Sequence, residues 1–283
     1  MVERSEKPVR LVEDFCVLRA QVRVLSFQPN ATVYAVALFY LGEIMDINFK
    51  RQILNDFLIS EEEFDYGGNI FVVNNPDDRF LFYNKSLLTI IIFDNRIFVR
   101  SNDDKLIGAL KKEYMKYPGQ WFTEFHNIKK LESILTNHKL KIDNFFPLMT
   151  FSDRNVKARK FTFDRIDKND IIKYKDMSNM PFTFDEDDRL GLSYYDDNKL
   201  IALCGASTVG KYLRSLGIEK FYFDKKYRGI SSYIVRSLAL QIKAENSRVS
   251  PIYTTQFSHT DSINTAIRAG FEMNVCICGS EIK

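Results

Sequence analysis

A glycine near the C-terminal quarter of the chain is flanked by three cations and two hydroxyls. Lys225, Lys226 and Arg228 precede Gly229, and Ser231 and Ser232 follow it. Residues 218–224 read as a strand and residues 232–246 as a helix, so this basic turn links one to the other. Gly229 lets the backbone approach a ligand closely. The first turn of the helix offers N–H groups that no helical carbonyl can reach, and Ser231 or Ser232 can cap it. With the three cations beside them, these groups are the parts of a pyrophosphate cradle. The competing reading is a solvated turn ahead of an amphipathic helix whose Ile234, Val235, Leu238 and Ile242 pack on a sheet.

The pattern continues beyond this helix. Residues 251–255 read as a second strand. Thr260 or Asp261 then opens a short helix, with Ile263, Ala266 and Ile267 facing inward. Gly270 is placed to end that helix in the left-handed conformation, and Phe271 begins a final strand. Ahead of the basic turn, strands at 190–195 and 199–207 flank Asp196, Asp197 and Asn198, a hairpin turn.

Over residues 218–271 this order of elements resembles the acyl-CoA site of the GNAT superfamily of N-acetyltransferases. Residues 221–229 are similar to that family's central strand and its Arg-Gly turn. Residues 251–256 are similar to the strand that splays from it, and residues 262–271 to its closing helix and Gly-Phe. The resemblance covers roughly residues 158–283. It implies an α/β fold with a mixed sheet in the C-terminal half and acetyl-CoA as co-substrate. It also implies direct attack on the thioester by the amine of a small molecule. Phe221, Tyr222 and Phe223 would pair with the pantetheine. Arg228, Gly229, Ile230, Ser231 and Ser232 would meet the pyrophosphate, and Asn264 on the closing helix would join the cofactor side.

Two positions depart from the family pattern. Without a gap, Ser231 and Tyr233 stand where later loop glycines are usual; with a two-residue deletion, residues 230–235 fit the family helix and the loop is shortened. Ala266 stands where a tyrosine often serves as general acid. Two residues are candidates for proton handling. Glu219 can take the amine proton, directly or through water, or it is a solvated charge at a strand end. Tyr253 can approach the thiol, or it packs in the core. His259 reads as a capping or loop residue. Asp185, Glu186, Asp187 and Asp188 either attract a cationic amine or form a solvated acidic loop. The alternative to an enzyme is a non-catalytic CoA-binding or regulatory protein on the same fold.

The rest of the chain bounds these readings. With 283 residues, two domains are expected: a mixed α/β domain over 1–155, resembling a degenerate acetyltransferase, and the GNAT-like domain over 156–283. The polar, basic run at 152–160 marks the boundary. In the first half, helices are expected at 48–58, 103–115 and 127–137, and strands at 69–73, 79–83, 87–93 and 96–100. Residues 1–30 fit either type. A strand at 160–165 and a helix near 169–176 open the second half. A net charge of +3 is too small and diffuse for a nucleic-acid face. The charged N-terminus is unlike a signal peptide, and no apolar run is long enough to span a bilayer, so a cytoplasmic protein without a membrane partner is expected. Cys16, Cys204, Cys276 and Cys278 match no zinc spacing and read as small apolar filler. His126 and His138 sit near helix ends, and Trp121 reads as a packing anchor.

Overall fold

A computed structural model of the chain describes residues 45–81, 86–153, 161–178 and 180–282. These belong to one compact unit, Met45–Lys283. The readings of residues 1–30 and Cys16 lie outside the described residues. So does most of the basic run at 152–160.

The expected mixed α/β architecture is present as one ten-stranded sheet flanked by helices. Its strands are β1 (Ile70–Val73), β2 (Leu88–Phe93), β3 (Arg96–Ser101), β4 (Leu140–Phe151), β5 (Asp164–Asp167), β6 (Asp188–Asp196), β7 (Lys199–Thr208), β8 (Leu213–Lys220), β9 (Ser250–Thr254) and β10 (Phe271–Ile282). They lie in the order β1-β3-β2-β10-β4-β9-β8-β7-β6-β5. The sheet therefore runs unbroken across position 155, and the last strand of the chain sits between two strands of its first half. Only β1 with β3 and β8 with β9 pair in parallel among the described strands.

Hairpin turns fix much of this register. Asp94 and Asn95 have φ of 47° and 58°, and Asp197 and Asn198 have 49° and 60°. Short polar side chains tolerate this left-handed pair, whose twist matches the flanking strands.

Among the described residues, six α-helices flank the sheet. They are α1 (Ile47–Phe57), α2 (Glu61–Asp65), α3 (Asp104–Tyr114), α4 (Phe125–Asn137), α5 (Ile230–Glu245) and α6 (Thr260–Ala269). The alternation along β2 shows how both faces are filled. Leu88 and Ile90 pack with Leu106, Leu110, Leu131 and Leu135 of α3 and α4, while Ile91 and Phe93 pack with Phe49, Ile53 and Phe57 of α1. Beside β7–β9, α5 buries Ile230, Ile234, Val235, Leu238, Ala239 and Ile242. Each large aliphatic side chain buried this way contributes about 1.5–3 kcal/mol. Gly270 ends α6 with φ of 100°, as its position predicts. No helix of the described residues is long and apolar enough to cross a membrane.

Several elements differ from expectation. The central strand lies earlier, at Leu213–Lys220, because its place is set by pairing with β7 from Ala202↔Lys220 to Thr208↔Arg214. Phe221, Tyr222 and Phe223 fall beyond its end. Residues 79–81 form no strand, and Asp77 to Phe80 make a turn. The expected helix near 169–176 is a 3-10 helix, Lys168–Tyr174, and the strand before it is β5. Two elements were not foreseen, α2 and the twelve-residue β4.

Candidate functional site

The fork between β8 and β9 organises the site. The two strands pair only from Leu213↔Ser250 to Ser215↔Ile252. Past this point β8 runs on to Lys220 and β9 stops at Thr254. On its other side β9 pairs with β4 over Leu148 to Thr150. Residues 140–147 of β4 are thus bonded on one side only, which is where a strand accommodates Pro147. The sheet therefore opens between the edges of β8 and β4. A cavity of about 1150 Å³ fills this opening. Leu216 to Ile218 of β8, Phe146 of β4 and Tyr253 to Gln256 line its length, and Ser231 of α5, Ser258 and His259 ahead of α6, and Thr260 to Ser262 of α6 also reach it. Ligands of α/β sheets bind at the carboxyl ends of such strands, and this volume is ample for a cofactor-sized molecule.

Gly229 begins α5 with φ of 88° and supplies no capping side chain. Ser232 does not cap either, because its hydroxyl donates back to the Gly229 carbonyl at 2.9 Å. The first helical bond runs from the Tyr233 N–H to the same carbonyl. The N–H groups of Ile230, Ser231 and Ser232 therefore have no intrahelical acceptor. The three cations of the turn divide in role. Lys226 Nζ and Tyr227 Oη both donate at 2.6 Å to Asp196 Oδ2, which ties the turn to the β6–β7 hairpin. The Lys226 ammonium, then the Tyr227 hydroxyl, hold that carboxyl below its ordinary range. Lys225 and Arg228 are exposed and pair with none of the described side chains.

Tyr253 is buried, with its hydroxyl 2.9 Å from Ser262 Oγ in the first turn of α6, and both residues line the cavity. Burial pushes the phenol above its usual pKa, and the Ser262 hydrogen bond partly offsets this. Ala266, one turn further along α6, is fully buried. Glu219 is placed differently from the expected general base. Its carboxylate accepts the Ser178 hydroxyl at 2.6 Å, and its side chain is not part of the cavity wall. Tyr222 and Phe223 are exposed, and Phe221 packs beside Phe182 and Leu203; none of the three lines the cavity. Asn264 is exposed and also outside the wall, whereas Ser262 and Thr265 of the same helix are within it.

The acidic loop splits in two. Asp188 is buried and structural, accepting from the Thr183 and Phe184 N–H groups and the Ser207 hydroxyl. Asp185 and Asp187 line the cavity, and the Thr183 hydroxyl, then the Asp187 N–H, keep the Asp185 carboxyl low. His259 also lines the cavity, at the start of α6.

Sequence reasoning missed the wall formed by residues 180–183. That segment lies in a trough of three glycines paired across the sheet, Gly191↔Gly205 and Gly205↔Gly217. A Cβ on Gly205 would stand 2.1 Å from the Pro181 carbonyl, and one on Gly217 2.6 Å from that of Met180. Three glycines at matching depths in successive strands were the available signal. The three described thiols, Cys204, Cys276 and Cys278, are disfavoured as thiolates. Burial pushes Cys276 up to about 12 and raises Cys204 and Cys278 as well. Among the described residues no His, Cys, Asp or Glu cluster could hold a metal.

A mixed sheet that forks between two parallel strands thus frames a cleft beside the uncapped start of α5. No family model and no curated protein matches the chain. Solved structures give faint likenesses. One is an acetyltransferase from the GNAT family from Colwellia psychrerythraea, 11% identical with a TM-score of 0.41, covering 54% of this chain and 62% of that one. A GCN5-related N-acetyltransferase from Kribbella flavida gives 14% and 0.38, covering 52% and 62%. A GCN5-related N-acetyltransferase-like protein from Streptococcus suis gives 11% and 0.33, covering 84% of this chain and 100% of that one. This chain thus spans under two-thirds of the first two. Likeness at this level carries no argument about activity.

Proposed function

We propose that the chain is an acyltransferase that takes an acetyl group from acetyl-CoA and passes it to the amine of a small molecule. The observation that carries this reading is the continuous cavity between β8 and β4, with the uncapped start of α5 reaching it through Ser231. The N–H groups of Ile230, Ser231 and Ser232 would hold the pyrophosphate, with Lys225 and Arg228 adding charge-assisted contacts. The free edge of β8 from Leu216 onward offers backbone partners to an extended pantetheine, in place of Phe221, Tyr222 and Phe223.

The thioester supplies the activated acyl group, and the chain binds, orients and manages protons. Asp185 and Asp187 on the cavity wall favour a cationic amine. Tyr253, whose burial favours the neutral phenol, would give a proton to the departing thiolate. Glu219 steadies the wall through Ser178. A second reading, CoA binding without turnover, draws on the alanine at position 266.

The test is thiol release from acetyl-CoA by the full chain over a panel of primary amines and polyamines. Acetylated product above the uncatalysed background is expected. CoA binding with no product from any amine would select the second reading.

A further inference from the structure

The helix α1 carries a feature that its apolar periodicity hides. Beside Phe49, Ile53 and Phe57 runs a second buried stripe, Asn48, Gln52 and Asp56, exposed by 2%, 1% and 0%. Polar groups buried this deeply must be hydrogen-bonded to be tolerated, and these are bonded to a particular place. Asn48 Nδ2 donates to the Ser247 carbonyl at 3.0 Å and to Ser250 Oγ at 3.1 Å. The Ser250 hydroxyl donates in turn to Asp46 Oδ2 at 2.8 Å. Gln52 Oε1 accepts the Tyr212 N–H at 2.9 Å, and its amide donates to Asp56 and to the Arg79 carbonyl.

Ser250 is the first residue of β9, and Tyr212 immediately precedes β8. Those two positions are themselves joined, the Ser250 N–H donating to the Tyr212 carbonyl at 2.9 Å. Side chains of one helix thus grip both strands where the fork is closed, at the first of the three register pairs after which they part. Gly210 makes room for this grip, since a Cβ there would stand 2.8 Å from Gln52 Oε1.

We propose that Asp46, Asn48 and Gln52 are positioning residues for the cleft. By pinning the starts of β8 and β9 they set how far the strands stand apart at the open end, and so the width of the cavity. None of the three lines that cavity, so they act through the strands alone. The ligand arm of the test rests on the CoA reading above, and the exchange arm does not.

The full chain, its Asn48→Ala and Ser250→Ala variants, and a Ser60→Ala control are compared by residue-resolved amide hydrogen exchange and by CoA titration. Ser60 caps α2 with a hydrogen bond of similar kind and touches neither strand. Exchange at residues 213–215 and 250–252, and the CoA dissociation constant, are expected to rise about tenfold or more in Asn48→Ala, less in Ser250→Ala, and not in Ser60→Ala at the same thermal midpoint. Unchanged exchange at the fork in both variants, or equal change in the control, would overturn the proposal. Ser250→Ala removes a single hydroxyl and keeps the test open if Asn48→Ala fails to fold. A wild-type chain that ignores CoA but shows the exchange pattern would sink the CoA reading and leave the grip on the fork standing.

Discussion

The two parallel strand pairs of the sheet differ in how they end. β3 hands over to α3 through Asp103, whose carboxylate accepts the Lys105 and Leu106 N–H groups at 2.9 and 3.1 Å and also bonds His138. The end of the β1–β3 pair is filled by buried Arg100, which donates to Asn74 and to the Ser86 carbonyl. β8 hands over to α5 through Gly229, which has no side chain to offer, and its pair with β9 opens instead of being filled. At one end the chain supplies its own anion and closes the gap. At the other it leaves N–H groups, two unpaired cations and a cavity. In both, a strand leads into a helix, and the two helix starts differ in whether the chain supplies its own negative charge.

Exchanging these ends is the strongest way to break the comparison. Gly229→Asp would give α5 its own carboxylate, at a φ of 88° that strains any Cβ and 3.2 Å from the Tyr233 ring, so retained folding is checked by its thermal midpoint. CoA affinity is expected to fall about a hundredfold or more, since the ligand phosphate would meet a fixed negative charge. Isothermal titration reads this directly, and unchanged affinity would place the phosphates elsewhere.

Next in size is Tyr253→Phe, expected to lower kcat about a hundredfold while leaving CoA affinity intact, as loss of a general acid would. Because the folded phenol sits above its ordinary value, kcat should hold through neutral pH and fall only as pH rises beyond about 10. The same raised value means that any stability linked to this group is lost in that alkaline range. A flat alkaline profile in the wild type would remove Tyr253 from the chemistry.

Arg228→Ala should weaken CoA binding about tenfold, and less so at high salt, where exposed charges are screened. Smallest is Asp103→Ala, which removes a cap and should cost about 1 kcal/mol of stability with no effect on CoA. The Asp103 carboxyl is held below its ordinary range by the Leu106 N–H and by His138. Its contribution is therefore present above the unfolded carboxylate pKa and fades as pH falls through the lower folded value. Equilibrium unfolding between pH 7 and pH 2 follows it.

Much of the region around the fork could be read from sequence, because its elements carry local chemistry. The Asp197-Asn198 turn, the apolar face of α5 and the Gly270 stop of α6 are each set by residues adjacent in sequence. The central strand was misplaced for a physical reason. Phe221, Tyr222 and Phe223 have high strand propensity, but Gly217 and Glu219 do not, and here pairing with β7 outweighs propensity. β4 contains Asp143, Asn144 and Pro147, residues of low strand propensity that a strand bonded on one side accommodates. Glu219, Ser178 and the residues 180–183 meet only through tertiary contact. The burial of the polar stripe of α1 is set by tertiary partners, which its four-residue spacing does not reveal.

The central claim is that the open end at Gly229 takes the phosphates of CoA. Isothermal titration of the full chain with CoA and with dephosphorylated pantetheine tests it most directly. The account predicts saturable binding of CoA at micromolar concentration and at least a hundredfold weaker binding of pantetheine, as expected when charge-assisted phosphate contacts supply about 3 kcal/mol. No heat from CoA at millimolar concentration, or equal affinity for the two ligands, would contradict it.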